Sequence, residues 1–441
     1  MNGSPLAAVV LAAGLGTRMR SDTPKPLHPL LGRRLVDWVV EAVRELEPEP
    51  LVVVTSPGSE DAFEGVHVAV QAEPRGTGDA AAMARGALAS FEGDVLVVTG
   101  DAAAISAALL GRLLETHRDE GAVATVLSFE PAEPGAYGRI VRDRNGSLEA
   151  IVEAGDASDD ELALREVNSS IYVFAADKLW PALERLRPEN AQGELYLTDT
   201  VRDLAAAGEC VAVYAAEDSA EVEGVNTRVE LAGAAAVLRD RVNREHMLAG
   251  ATIVDPQSTW IDATVELEPD STIHPFTVLR GRTRVARGAE VGPHVVATDA
   301  EIGPGALVGP FCYLRPGTVL EAGAKAGAFV EIKNSRVGEG AKVPHQSYIG
   351  DADIGEGTNI GAGNITANYP HEAGKPKGRT TIGRNVRTGV HNAFVAPVEI
   401  GDDAWIGAGS VITQDVPPES LAVARARQEN KEGYVRRRRE E

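Results

Sequence analysis

The chain has 441 residues, room for roughly two to four domains that each bury a core, which excludes a single small module. Lysine and arginine total 43 against 65 aspartates and glutamates, a net charge of −22, so bulk electrostatics exclude non-specific binding to nucleic acid or anionic lipid, and a polyanionic ligand needs a local basic pocket. Two cysteines, Cys210 and Cys312, exclude a disulfide scaffold and a four-cysteine zinc site and fit a reducing compartment, so the expected location is the cytoplasm.

The first apolar run, 6–13, is about a third of the length a membrane span needs and runs into glycines, which predicts a strand rather than a signal or a membrane insertion. Up to residue 226 short β-rich runs (7–13, 51–54, 95–98, 122–128, 171–174) alternate with helical patterns such as 35–46. That alternation predicts an α/β domain over 1–226 with a mostly parallel sheet. Leu231, Ala235, Leu238 and Val242 fall at spacings of four, three and four, predicting an amphipathic connector helix within 227–249.

From 250 onward apolar residues recur every six positions, at Ile261, Leu267, Ile273, Leu279, Val285 and Val291, slip by one, and resume at Ile302, Val308, Leu314 and Leu320. The pattern returns at Ile349, Ile354 and Ile360 and again at Ile382, Phe394, Ile400, Ile406 and Ile412. A six-residue period is the mark of a parallel β-helix, and three hexads per coil give about nine coils before a C-terminal tail. The longest interruption, 368–379, is expected to leave the coil as a loop.

The string Leu11-Ala-Ala-Gly-Leu-Gly-Thr-Arg-Met19 follows the first strand and carries Gly14, Gly16 and Arg18, with Lys25 beyond. Glycines let main-chain amides approach a phosphate while Arg18 and Lys25 neutralise it; a plain structural turn is the competing reading. It is neither the dinucleotide fingerprint, whose third glycine falls at Met19, nor a Walker A loop. The longer string LAAGLGTRMRSDTPKPLHPLLG resembles the signature loop of sugar-phosphate nucleotidyltransferases. Further strings in order, Gln71-Ala-Glu-Pro-Arg-Gly-Thr-Gly78, Thr99-Gly-Asp101, Gly135-Ala-Tyr-Gly-Arg-Ile140, Ile151-Val-Glu153, Asn190-Ala-Gln-Gly-Glu-Leu-Tyr-Leu-Thr-Asp199 and Glu223-Gly-Val-Asn226, resemble one branch. It is the bifunctional N-acetylglucosamine-1-phosphate uridylyltransferase / glucosamine-1-phosphate acetyltransferase family.

That resemblance implies a Rossmann-like nucleotidyltransferase domain followed by a left-handed parallel β-helix acetyltransferase domain. It implies Mg2+ on Asp101 and Asn226, hard oxygen ligands for an ion that keeps much of its water. It places Arg18 and Lys25 on the triphosphate, with Leu11, Ala13, Gly14, Thr99 and Gly100 lining the UTP pocket. Gln71, Gly76 and Thr77 would read the uracil, and Gly138, Glu153, Asn168 and Tyr196 would hold the sugar. Competing readings are a turn or cap role for Asp101, a cap of the following helix for Asn226, and an ordinary strand-end carboxylate for Glu153.

Acetyl transfer to an amino sugar needs a base for the amine proton, and imidazole, with an ordinary pKa near 6.5, suits it. The histidines of the β-helix half are His274, His294, His345, His371 and His391, and His345 matches the family's base. Similarity places Arg315, Lys333, Tyr348, Asn359 and Lys377 at the sugar phosphate and the main-chain amide of Ala362 at the oxyanion. It puts Asn368, Tyr369, Ala408 and Arg425 along acetyl-CoA; Arg315 and Lys333 as solvated charges are the competing reading. Four departures stand out: the 368–379 loop is long and leaves Lys375 and Lys377 as rivals, Val390-His391 replaces a Ser-Asp pair, Ala102-Ala-Ala follows Asp101, and Gly155 stands where a lysine is common two residues after Glu153. Cys312 reads as a coil residue and Arg436–Arg439 as a solvated tail.

The expected partners are small molecules (UTP, acetyl-CoA and glucosamine-1-phosphate), together with a homotrimer whose site lies between chains. An alternative keeps nucleotidyl transfer alone, on another sugar-1-phosphate, with the β-helix as an oligomerisation module. A third reading is a catalytically dead nucleotide-sugar sensor, which the retained Arg18, Lys25, Asp101 and Asn226 oppose.

Overall fold

The computed structural model describes residues 4–14, 16–370, 372 and 374–441, and the chain divides into two compact units, 1–238 and 239–441, the division falling inside one long helix. In the first unit β1 (Leu6–Ala12), β2 (Pro29–Leu30), β3 (Arg33–Arg34), β4 (Leu51–Thr55), β5 (His67–Val70), β6 (Asp94–Thr99), β7 (Ala124–Phe129), β8 (Arg139–Arg142), β9 (Leu148–Val152), β10 (Val167–Ala175) and β11 (Val211–Ala215) alternate with helices. The helices are α1 (Leu35–Arg44), α2 (Thr77–Met83), α3 (Ala107–Asp119), α4 (Asp159–Leu162), α5 (Ala176–Arg185), α6 (Leu197–Ala206) and α7 (Arg228–Leu248).

The main sheet runs β11-β7-β10-β6-β1-β4-β5, with the β8–β9 pair attached to β10. Six of the seven strands on this path run in one direction, so the sheet is mostly parallel as expected, and β10 is the exception, antiparallel to both β6 and β7. Strand direction leaves no trace in an apolar run buried on both faces, which is why the sequence pattern misses this reversal. Alternate residues of β1 feed opposite cores: Ala8 and Val10 pack with Val39 of α1 and Leu110 of α3, while Ala7 and Val9 pack with Ala80 of α2 and Val201 of α6.

The second unit is built of two- to four-residue parallel strands in three sheets. One sheet stacks six strands from Thr252–Ile253 to Lys342–His345 and continues through Asn359, which bridges Lys342 and Arg387, to Arg387–Thr388, Trp405–Ile406 and Leu421–Ala422. A second stacks nine strands from Trp260–Ile261 to Val411–Ile412, and a third eight from Glu266–Leu267 to Val398–Ile400. This is a left-handed parallel β-helix, and the nine rungs of the second sheet agree with the hexad count.

The six-residue anchors point inward: Ile261, Ile273, Leu279, Leu314, Ile349, Ile360 and Phe394 have no exposed surface, whereas Leu267 in the first coil is partly exposed. Pairings such as Ile261 on Leu279 and Val285 on Ile302 show coils of 18 and 17 residues, which accounts for the one-residue slip. Leu314→Ala is expected to destabilise the unit by about 2–5 kcal/mol, read as a lowered denaturant midpoint. Between the strands Ile365–Ala367 and Thr380–Ile382 the chain leaves the coil, and the Gly378 N–H closes this loop on the Asn368 carbonyl at 3.0 Å. His371 lies outside the described residues.

Candidate active sites

The first site forms at the carboxyl ends of β1 and β6, where the strand order reverses, the place open α/β sheets offer a ligand. Beyond β1 the chain turns through Gly14 and Gly16. Gly16 has φ +60°, and a methyl there would lie 2.5 Å from Lys25 Cβ, so both its conformation and the approach of Lys25 require glycine. Beyond β6, the Gly100 N–H donates to the Leu11 carbonyl at 2.8 Å and Asp101 follows.

Lys25 Nζ is ion-paired with Asp101 Oδ2 and donates to Asn226 Oδ1 at 3.1 Å, and an Arg18 guanidinium N–H donates to the same Asn226 oxygen at 3.0 Å. The Thr99 hydroxyl donates to Asp101 Oδ1 at 2.6 Å. Burial pushes the Asp101 carboxyl up, but the Lys25 ammonium and the Thr99 hydroxyl outweigh it and hold it below its ordinary range. The cap of α7 is not Asn226: Thr227 Oγ1 accepts the Glu230 N–H at 3.3 Å while Glu230 accepts the Asn226 and Thr227 amides, which frees the Asn226 side chain for the cleft. Ser106 caps α3 by accepting the Leu109 N–H, and the Asp101 side chain faces Lys25 instead.

Asp101 and Asn226 fit a divalent cation. A methyl on Gly224 would lie 3.3 Å from Asp101 Oδ1 and 3.8 Å from Asn226 Nδ2, so only glycine leaves the gap between the two side chains open. One carboxylate and one amide oxygen are the donor set for an ion completed by water and phosphate oxygens, and among the described residues no cluster of three acidic, histidine or cysteine ligands competes.

These groups line a cleft of ≈540 Å³ together with Leu11, Ala13, Gly14, Gln71, Gly76, Thr77, Gly138, Glu153 and Asn168. Gln71 Nε2 donates to the Gly76 carbonyl at 3.1 Å and to Asp79 at 2.8 Å, and Thr77 Oγ1 accepts the Leu197 N–H at 3.1 Å. A methyl on Gly138 would lie 3.3 Å from a Glu153 carboxylate oxygen, and buried Asn168 donates to the Tyr172 hydroxyl at 2.7 Å. Tyr196 lies apart from the other predicted residues, in an adjoining hollow that shares Glu153, where burial and nearby carboxylates push its phenol up to about 12.

Burial raises the Glu153 carboxyl above its ordinary range, only partly countered by the Thr198 hydroxyl donating at 3.1 Å. A raised carboxyl favours the folded state while protonated, and that contribution is lost as pH rises through its folded pKa, so the ionised group costs stability at neutral pH. Glu153→Gln is therefore expected to raise the unfolding temperature at pH 7.5 relative to wild type, with the gap closing toward pH 4.

The sequence reading passed over Tyr137 and Tyr172, which also line the cleft. The Tyr137 hydroxyl accepts the Gly224 N–H at 3.0 Å and its ring meets Phe129 edge-on at 5.1 Å, tying the 135–140 segment to the strip carrying Asn226. Its position inside Gly135-Ala-Tyr-Gly138 was the only signal.

On the β-helix the predicted residues are divided between the nine-stranded sheet, its corners and the six-stranded sheet that carries His345 and Asn359. Arg315 and Lys333 stand at the ends of successive strands of the nine-stranded sheet, in register with Gly350 on the next rung. Gly350 leaves room for the Tyr348 ring, whose hydroxyl would lie 2.4 Å from a methyl there. Arg315 pairs with Glu331 at 2.9 Å. Lys377, from the loop, lies against Lys333, depressing its ammonium, and stands 5.2 Å from the centre of the Tyr369 ring. Lys375 instead pairs with Glu372 at 2.6 Å.

In the six-stranded sheet His345 ends its strand, exposed, and its carbonyl accepts the Gly363 N–H at 3.3 Å. The Ala362 carbonyl accepts the His391 N–H at 2.8 Å, and the His391 ring packs on Gly363, within 2.6 Å of a methyl placed there. Gly389 packs on Ala408, and the Arg425 side chain lies beside Gly409. Asn359 lies in the same sheet as His345, and Asn368 is buried at the base of the loop. His345 thus belongs to the six-stranded sheet, while Arg315 and Lys333 belong to the nine-stranded one. Cys312 is buried, with its thiol pushed up to about 11 by burial, which removes it as a nucleophile.

A Gly-Arg-Lys turn at the strand ends, facing a paired carboxylate and amide, defines a nucleotidyltransferase site, and residues 8–202 match the family model for a MobA-like NTP transferase domain. Over 99% of its length the chain is 49% identical to the bifunctional protein GlmU of Streptomyces avermitilis, covering 95% of that protein. It is 46% identical to the GlmU of Mycolicibacterium gilvum (99% of this chain, 93% of the relative) and 44% identical to that of Caldanaerobacter subterraneus subsp. tengcongensis (98% of each). The chain belongs to the GlmU family of bifunctional proteins.

Proposed function

We infer that the chain acetylates glucosamine-1-phosphate with acetyl-CoA and transfers uridylyl from UTP to the product, giving UDP-N-acetylglucosamine, a cell-wall precursor, and pyrophosphate. The 1–226 part carries uridylyl transfer, the 250–441 part acetyl transfer, and the 227–249 helix joins them. The observation that carries the first activity is the Lys25, Arg18, Asp101 and Asn226 cluster at the β1/β6 switch point. Nucleotidyl transfer alone is not favoured, because the match to bifunctional relatives runs over 98–99% of the chain and so includes the β-helix half.

In uridylyl transfer a phosphate oxygen of the sugar-1-phosphate attacks the α-phosphorus of UTP, and the bond to the β-phosphate oxygen breaks in line. Arg18 and Lys25 hold the triphosphate and offset the repulsion between two anions; Gln71, Gly76 and Thr77 orient the uracil; Gly138, Glu153, Asn168 and Tyr196 hold the sugar. The enzyme is of a divalent-metal-dependent kind, and Asp101 and Asn226 would hold the ion, Mg2+ in this reading, which when bound neutralises phosphate charge.

In acetyl transfer the sugar amine attacks the thioester carbonyl, His345 takes the amine proton, the Ala362 amide faces the oxyanion, and the coenzyme thiol leaves. Arg315, Lys333 and Lys377 clamp the sugar phosphate, with Tyr348 and Asn359 beside them; Asn368, Tyr369, Ala408 and Arg425 follow acetyl-CoA. Lys377 is preferred to Lys375 because it reaches Lys333.

A homotrimer is supported by an exposed ladder of Phe276, His294, Phe311 and Phe329 stacked at 4.8, 4.8 and 5.1 Å, an apolar stripe that a second copy would cover. A cytoplasmic setting is supported by two unpaired cysteines, and among the described residues no helix is long and apolar enough to cross a membrane. The test is direct: purified protein with acetyl-CoA and glucosamine-1-phosphate should release free thiol, and with UTP and N-acetylglucosamine-1-phosphate should release pyrophosphate. Failure of either assay removes that half of the reading.

A further inference from the structure

The loop 369–377 carries Tyr369 and Lys377 and is longer than the family pattern, so something must fix its position. Both of its ends are tied to Asp351, a buried residue, 9% exposed, that the reaction scheme does not use. Asp351 Oδ1 accepts the Asn334 side-chain amide at 2.6 Å, and Oδ2 accepts the side-chain amide of Asn368, the residue that opens the loop. The Asp351 carbonyl accepts the Thr380 N–H at 3.1 Å just past the loop, and its own N–H donates to the Lys333 carbonyl at 3.0 Å. Gly378 closes the loop on the Asn368 carbonyl at 3.0 Å, and the Arg379 guanidinium grips Asp353, two residues beyond Asp351.

A carboxylate suits this place because it has two acceptor oxygens and no donor, so it satisfies two amide N–H groups at once, which an asparagine in its place does not. Its charge also stands next to the Lys333 and Lys377 ammoniums and offsets their repulsion. Burial pushes the Asp351 carboxyl up, but the two amide donors and the two lysines bring it below the ordinary carboxylate range.

We propose that Asp351 is a positioning residue of the acetyl-transfer site, anchoring the 369–377 loop so that Lys377 stands beside Lys333 to grip the sugar phosphate. This rests on the acetyltransferase reading above, and its test has an arm that does not. Trypsin can cut after Lys377 but not at Lys375-Pro376, and the exposed Arg436–Arg439 tail gives a reference rate in the same digest. Asp351→Asn is expected to speed the Lys377–Gly378 nick about fivefold or more against the tail, and to raise the KM for glucosamine-1-phosphate about tenfold with kcat changed less than about twofold, leaving pyrophosphate release intact.

Asn368→Ala should reproduce the faster nick, which keeps the idea testable if Asp351→Asn folds poorly. An unchanged nick in both variants overturns the anchor. A faster nick with an unchanged KM in Asp351→Asn overturns its link to the sugar phosphate. Should the wild type transfer no acetyl group, the acetyltransferase reading falls while the digest still judges the anchor.

Discussion

Asp101→Ala is expected to lower uridylyl transfer by about 10²–10³-fold while acetyl transfer stays within about twofold of wild type, the scale of losing one charge-stabilising group from a preorganised site. In this structure the carboxylate pairs with Lys25 and accepts the Thr99 hydroxyl at 2.6 Å, and in the proposed reaction it would hold the divalent ion together with Asn226. Its backbone is held separately, since the Asp101 carbonyl accepts the Val225 N–H at 3.0 Å, so alanine removes the charge without releasing the strip that carries Asn226. Asp101→Asn should be nearly as slow, because it keeps the shape and loses the charge. Pyrophosphate release, with Mn2+ binding to the UTP-loaded protein followed by spin resonance, reads both effects. A loss below about tenfold in a folded variant would move the metal site elsewhere.

Much of this was legible before any coordinates, for reasons that differ along the chain. The β-helix was plain because one physical requirement, an inward apolar residue at each strand, repeats in every coil; Leu314, Ile332 and Ile349 stack at one register and all are buried. The direction of β10 was not, because an apolar strand reads alike in both senses. For Asn226 a helix cap was the competing reading, and the neighbouring Thr227 does that work instead. Asp351 and Tyr137 were invisible for a related reason: their roles depend on partners 17 and 87 residues away, and no local pattern reports such contacts. The rivalry of Lys375 and Lys377 likewise turned on where a loop folds back, which spacing does not encode.

His345→Ala is expected to lower acetyl transfer by about 10²–10⁴-fold, the usual weight of a positioned general base, with uridylyl transfer retained. The amine of the sugar attacks only when unprotonated, so without a base the residual rate should climb as pH rises and the free-amine fraction grows, while the wild type depends on pH more weakly in the same range. That slope separates loss of a base from loss of binding, which would lower the rate equally at every pH. The rival is His391, which sits two coils further along, beyond the rung of Ala362 and Gly363, its ring on Gly363, in the place where the family pattern has a Ser-Asp pair. Its main chain is tied to Ala362, the residue assigned to the oxyanion, so its ring borders the coenzyme path rather than the sugar. His391→Ala should therefore raise the KM for acetyl-CoA and leave the pH slope as in wild type. If His391→Ala acquires the steep slope and His345→Ala does not, the base is His391, and the proton leaves two coils beyond the one assigned here.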